Sequence, residues 1–103
     1  MMNDLTRPMY AISVTAEIVG VHPRTLMIYE REKLVVPQRT ATNRRRYCQK
    51  DLNTLLFIRY LMNEQKMNLA GCKAVIKLLD EAENRGLQLQ KIIFPGYKTQ
   101  RVF

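Results

Sequence analysis

A mainly α-helical fold carrying one small two-stranded hairpin is what this 103-residue chain predicts, and three observations predict it. A helix-stop signal at Gly20 and a helix-start signal at His22-Pro23 bracket a very short connection. A short apolar run, Leu34-Val35-Val36, leads through a polar, arginine-rich stretch back to the aromatic Tyr47. Beyond Asp51, apolar residues recur at helical spacing. With 47% hydrophobic residues the chain is long enough for one compact domain and too short for two.

Residues 1–8 read as a flexible lead-in ending at Pro8, and Tyr10-Ala11-Ile12 as a short strand. Ser13 offers an N-cap for a helix to about Val19, which Gly20 stops. Pro23 opens a second helix to about Glu32, because proline lacks the N–H that would go unpaired at the first helical position. Two helices joined by Gly20-Val21-His22 have helix-turn-helix spacing. Residues 34–47 then read as a hairpin with Asn43 at its turn and a basic tip, so the unit as a whole predicts a winged helix-turn-helix. Asp51, three residues after Cys48, opens a helix to about Glu64 with Leu52, Leu55, Ile58, Leu61 and Met62 on one face. Asn68 caps another, with Leu69, Cys72, Val75, Ile76 and Leu79 at helical spacing.

The tail supports two readings. Cys72, Val75, Leu79, Ala82, Gly86, Leu89 and Ile93 alternate spacings of three and four, as a coiled-coil seam does, while Gly86 argues for a helix end. Leu87, Leu89 and Ile92-Ile93-Phe94 call for a partner surface, for which a second copy of the chain is a candidate. The expected organisation is a lead-in over 1–8, a winged helix-turn-helix domain over 9–84, and a short tail over 85–103 as a candidate dimerisation segment.

The formal net charge of +8 is concentrated. Residues 21–50 hold eight basic side chains against Glu30 and Glu32, a balance of +6, whereas residues 51–86 hold five of each sign and balance to zero. A block dominated by arginine and bracketed by turn residues favours phosphate, whose oxygens match the guanidinium fork. Nucleic acid is therefore the expected partner, ahead of a merely solvated face or an anionic membrane. There is no run of eighteen apolar residues and no signal-peptide hydrophobic region, which predicts a soluble, cytoplasmic protein with no membrane partner. Cys48 and Cys72 form no CxxC pair and His22 is the single histidine, so neither a metal centre nor any other cofactor is expected. Catalysis is not expected either, since His22 has no neighbour to orient it and Asp80, Glu81 and Glu83 are solvated residues near a helix end.

In a helix-turn-helix the second helix turns its first residues to the major groove and the wing reaches phosphates or the minor groove. This selects Arg24, Thr25 and Tyr29 on the helix, with Leu26 inward, and Arg44, Arg45, Arg46 and Tyr47 on the wing. Tyr29 also reads as a half-buried core aromatic, and Arg46 as a structural ion-pair residue.

Ile12-Ser13-Val14-Thr15-Ala16-Glu17, Val21-His22-Pro23-Arg24-Thr25-Leu26, Tyr29-Glu30, Leu34 to Thr40, Arg45-Arg46-Tyr47, Asp51-Leu52 and Asn68 to Lys73 together resemble the DNA-binding domain of the MerR family over about residues 9–80. His22-Pro23 before Thr25-Leu26, with Arg39-Thr40 and Asn68 to Lys73, is most similar to the heat-shock repressor (HspR) subgroup. The glutamine-synthetase repressor (GlnR) subgroup comes second. The resemblance implies a bacterial repressor of chaperone genes, nucleoid-associated when bound, that holds an inverted-repeat operator in double-stranded DNA as a homodimer, with the chaperone as candidate co-repressor. It carries the helix contacts onto Arg24, Thr25 and Tyr29 and the wing arginine onto Arg45 or Arg46. Met27 departs from it, standing where many relatives have a second arginine. Some seventeen residues follow Gly86, fewer than the long helix and ligand segment of the metal- or drug-sensing members, so such sensing is not expected. An excisionase-like DNA-bending factor and a basic protein-interaction module are the alternatives.

Overall fold

The computed structural model describes residues 4–97, which divide between two compact units, 4–56 and 57–97. The architecture is the expected one, mainly helical with a two-stranded antiparallel wing.

In the first unit, helix α1 spans Ile12–Val19 and helix α2 Pro23–Arg31. α1 begins before Ser13, with Ala11 at the N-cap position and no side chain capping it, so the expected serine cap is replaced. The cause lies upstream. The Tyr10 N–H donates to the Tyr47 carbonyl at 2.9 Å and the Tyr47 N–H to the Tyr10 carbonyl at 2.7 Å, a single β-bridge that holds Tyr10 extended and lets the helix start directly after Ala11. The expected strand over 10–12 is reduced to that bridge. Thr15 is fully buried, and its hydroxyl donates to the Ala11 carbonyl at 2.9 Å, which removes the cost of an unpaired polar group. Gly20 ends α1 at φ 81°, a left-handed conformation that any side chain would strain, and the Gly20 and Val21 N–H groups both close on the Ala16 carbonyl. Ala16, Val19 and Leu26 are the buried apolar residues that these two helices contribute along with Tyr29.

Leu34-Val35-Val36 is not a strand. Lys33 takes φ 61°, and the Leu34 N–H donates to the Tyr29 carbonyl at 2.9 Å, so the run winds off the end of α2 and anchors itself by burying Val35. Strands β1 (Gln38–Arg39) and β2 (Arg45–Arg46) follow, antiparallel, with Gln38 opposite Arg46 and Arg39 opposite Arg45. The lead-in expected to fray is hydrogen-bonded over its described part: the Lys50 N–H donates to the Leu5 carbonyl and the Gln38 amide to the Thr6 carbonyl.

Helix α3 spans Gln49–Asn63, and the division between units falls within it. Its start is a reciprocal cap: the Cys48 N–H donates to the Asp51 carboxylate at 3.0 Å, and the Asp51 N–H to Cys48 Sγ at 3.4 Å. Leu52, Leu55, Ile58 and Leu61 are all buried, as their spacing predicts.

In the second unit, helix α4 spans Leu69–Asn84. Asn68 caps it through its side-chain oxygen, which accepts from the Gly71 N–H at 2.8 Å. Cys72, Leu79 and Ala82 face inward. The helix ends at Arg85 and Gly86, the latter at φ 80°, so the glycine reading prevails and the seam is not continuous. A short helix α5, Leu89–Ile93, leads to Phe94 and Tyr97, whose rings meet those of Phe57 and Tyr60 at centroid separations of 4.9–6.3 Å. Phe94 thus has its partner within the chain. Leu87, Ile92 and Ile93 stay exposed.

Candidate nucleic-acid interface

The front of α2 is built by its cap. His22 Nδ1 accepts from the Arg24 N–H at 3.0 Å, and the His22 carbonyl accepts from the Thr25 N–H at 2.9 Å. His22 is therefore a capping residue that orients the first turn. That turn carries Arg24 exposed and Thr25 half-buried, and among the described residues Arg24 has no ion pair. Tyr29 lies further along and is only 7% exposed. Its core reading is the one the burial favours.

The wing tip is a tight turn. The Thr40 N–H donates to the Arg44 carbonyl, the Asn43 N–H to the Thr40 carbonyl, and the Arg44 N–H to the Thr40 hydroxyl at 3.1 Å. Asn43 takes the left-handed conformation the turn requires, φ 61°, as its identity suggests. Arg44 projects from this tip with its side chain exposed. Arg46 is half-buried and folds its guanidinium onto the Arg45 carbonyl at 2.9 Å.

Arg45 is differently placed. Its Nε donates to Oε1 of Glu30, on α2, at 2.6 Å, while Arg39 Nη2 donates to Oε2 of the same carboxylate at 2.9 Å. One helix carboxylate thereby holds one residue from each wing strand. Partial burial pushes the Glu30 carboxyl upward, but the hydrogen bonds from Arg45 and Arg39, together with their charges, outweigh it and hold the carboxyl below its ordinary value. Neither Glu30 nor Arg39 was among the expected site residues. The available signal was charge: Glu30 is one of two acids in a block holding eight bases.

Tyr47 is corrected. Its side chain is fully buried, with 0% exposure, and its hydroxyl has no hydrogen-bond partner among the described residues, so it belongs to the core under the wing. Burial, then the nearby Glu30 carboxylate, pushes its hydroxyl up to about 12. Of the expected contact residues, Arg24 at the head of α2 and Arg44 at the wing tip carry exposed cations, with Thr25 and Arg46 half-buried. No cluster of three or more metal-ligating side chains occurs among the described residues, and no helix of theirs is long and apolar enough to cross a membrane.

Residues 10–79 match the MerR HTH family regulatory protein model, a segment that includes both helices, the wing and the caps of α3 and α4. The chain belongs to the MerR family. Over 83 residues this MerR-family chain is 43% identical to the putative heat shock protein HspR of Streptomyces coelicolor, covering 81% of the chain and 52% of that protein. Over 84 residues it is 31% identical to the HTH-type transcriptional regulator GlnR of Bacillus anthracis, covering 82% of the chain and 64% of that protein. The MerR-family chain thus spans between half and two thirds of the length of these curated relatives. Among solved structures it is similar to HiNmlR, a MerR family regulator lacking the sensor domain, bound to promoter DNA (TM-score 0.61, 26% identity, 82% of this chain and 72% of that one). A MerR-family transcriptional regulator from Bacillus cereus shares the fold (TM-score 0.62, 23% identity, 84% of this chain and 67% of that one). Of these relatives, GlnR is named as an HTH-type transcriptional regulator and HiNmlR as a MerR family regulator.

Proposed function

We propose that the chain is a repressor that binds an inverted-repeat operator as a homodimer, and that its operators lie upstream of heat-shock and chaperone genes. One helix-turn-helix covers a half-site, so a two-fold pair of chains matches a palindrome. Arg24 and Thr25 enter the major groove from the head of α2, and Arg44 at the wing tip takes a phosphate, with Arg46 beside it. Tyr29, 7% exposed, seats the helix. The observation that carries this reading is the pair of exposed cations, Arg24 and Arg44, on a capped helix and a tight turn whose backbones are both fixed by hydrogen bonds. The choice of heat-shock genes rests on the 43% identity to the Streptomyces coelicolor protein, and a chaperone is the corresponding co-repressor.

The test is binding of the purified chain to genomic fragments, with the recovered DNA sequenced and the enriched sites aligned. An inverted repeat upstream of chaperone genes is the expected result. Replacing Arg44 with alanine is expected to weaken binding to all duplexes and to flatten the log–log salt dependence by about 0.9, the value of one phosphate contact. Replacing Arg24 is expected to weaken the operator more than random DNA. Enrichment beside glutamine-synthetase genes would move the chain to the GlnR-type regulon, and no enrichment even at low salt would sink DNA binding by the chain on its own.

A further inference from the structure

Glu30 occupies an odd position for a DNA-binding surface: a carboxylate on the helix offered to the groove, inside the most basic part of the chain. Arg39 and Arg45 are directly opposite one another in the ladder. Two like charges at such a position repel and destabilise the pairing. The ladder is only two residues long on each side, too short to hold its own orientation. Glu30 meets both needs, since each of its oxygens takes one guanidinium, Arg45 at 2.6 Å and Arg39 at 2.9 Å. The carboxylate is only 19% exposed, so solvent competes little for it, while Arg39, 38% exposed, lies where an outside anion would take its guanidinium if the Glu30 charge were absent.

We propose that Glu30 is a positioning residue that determines selectivity: it withholds Arg39 and Arg45 from phosphates and sets the wing at a fixed attitude to α2. The inference rests on the DNA-binding reading above and deepens it. A phosphate on any sequence would otherwise capture either guanidinium, adding affinity that carries no sequence information. With both arginines engaged on Glu30, the wing offers DNA Arg44 and Arg46 alone. Arg44 and Arg24 then meet the duplex together only where its groove shape and base edges suit both.

The experiment compares wild type with Glu30→Gln on two probes, the operator recovered by enrichment and a random-sequence duplex of about 30 base pairs, over a salt series. The amide keeps the shape and removes the charge. On the random duplex the variant is expected to bind more tightly, with a slope steeper by about 0.9 for each released arginine, up to about 1.8. The ratio of operator to random affinity is expected to fall at least about tenfold. Adding Arg39→Gln and Arg45→Gln to the same chain is expected to return the slope to the wild-type value. Equal loss on both duplexes with an unchanged slope would show a merely structural role and overturn the assignment, as would no change at all. Should Glu30→Gln fail to fold by circular dichroism, Arg39→Gln alone decides: an unchanged random-duplex slope supports the assignment, and a slope flatter by about 0.9 places Arg39 on a phosphate and overturns it. A wild-type chain that binds neither duplex overturns the DNA-binding reading itself, and this assignment with it.

Discussion

At Glu30 the same two hydrogen bonds that orient the wing also tie stability to pH. The carboxyl is held below its ordinary value of 4.5 in the folded chain, so the folded state favours the ionised form. Its contribution is fully present above about pH 4.5 and is lost as pH falls through the lower, folded value. Wild type is therefore expected to be more stable than Glu30→Gln by about 1 kcal/mol at neutral pH, a figure discounted for the part-exposed arginines, with the gap closing as pH falls through the folded value. Urea midpoints of the two chains across that range check it, and a gap independent of pH would refute it. Asp4 is also held low, by its Thr6 hydrogen bonds, but it is common to both chains and cancels. Sequence reading reached Arg24 and Arg44 because a local signal marks each, Pro23 for one and the Asn43 turn for the other. It passed over Glu30, whose partners lie nine and fifteen residues away and share no periodicity with it. It placed Tyr47 on the surface because nothing in its neighbourhood announces the bridge to Tyr10 that buries it.

The helices were legible where their ends are written in residues whose chemistry acts on the backbone. Gly20, Pro23, Asn68 and Gly86 all mark helix ends as expected. Ser13 failed as a cap because a long-range bridge fixed the preceding residues and started α1 earlier. Leu34-Val35-Val36 failed as a strand because the left-handed turn at Lys33 carries no sequence signature: lysine is not a residue that favours it. The Asn68 cap gives the element-scale prediction. Asn68→Ala leaves the Gly71 N–H without its acceptor and is expected to cost about 1 kcal/mol, lowering the melting temperature by about 4–8 °C. Asn68→Asp keeps an acceptor and is expected to recover most of the loss. Equal melting points for wild type and alanine variant would show that solvent replaces the cap without cost.

For the molecule as a whole, the concentration of charge in residues 21–50 pointed to the candidate surface before any element was placed. Those residues supply α2 and the wing, and all of them fall in the first unit. The second unit was less legible. Its tail reads as surface awaiting a partner, because the pairing of Phe94 and Tyr97 with Phe57 and Tyr60 joins residues more than thirty positions apart. One unremarkable fact about the two units provides a natural clock. Each holds a single cysteine, Cys48 at the start of α3 and Cys72 within α4, and burial first of all raises both thiols above their ordinary value. Burial shields both sulfurs from an alkylating reagent, so the rate of modification at each follows the opening of its own surroundings under native conditions. Cys48, 7% exposed at a helix end, is expected to be labelled before the fully buried Cys72, as mass spectrometry of partly modified chains would show. If adding operator DNA slows only the first reaction, the timing itself maps where the duplex rests.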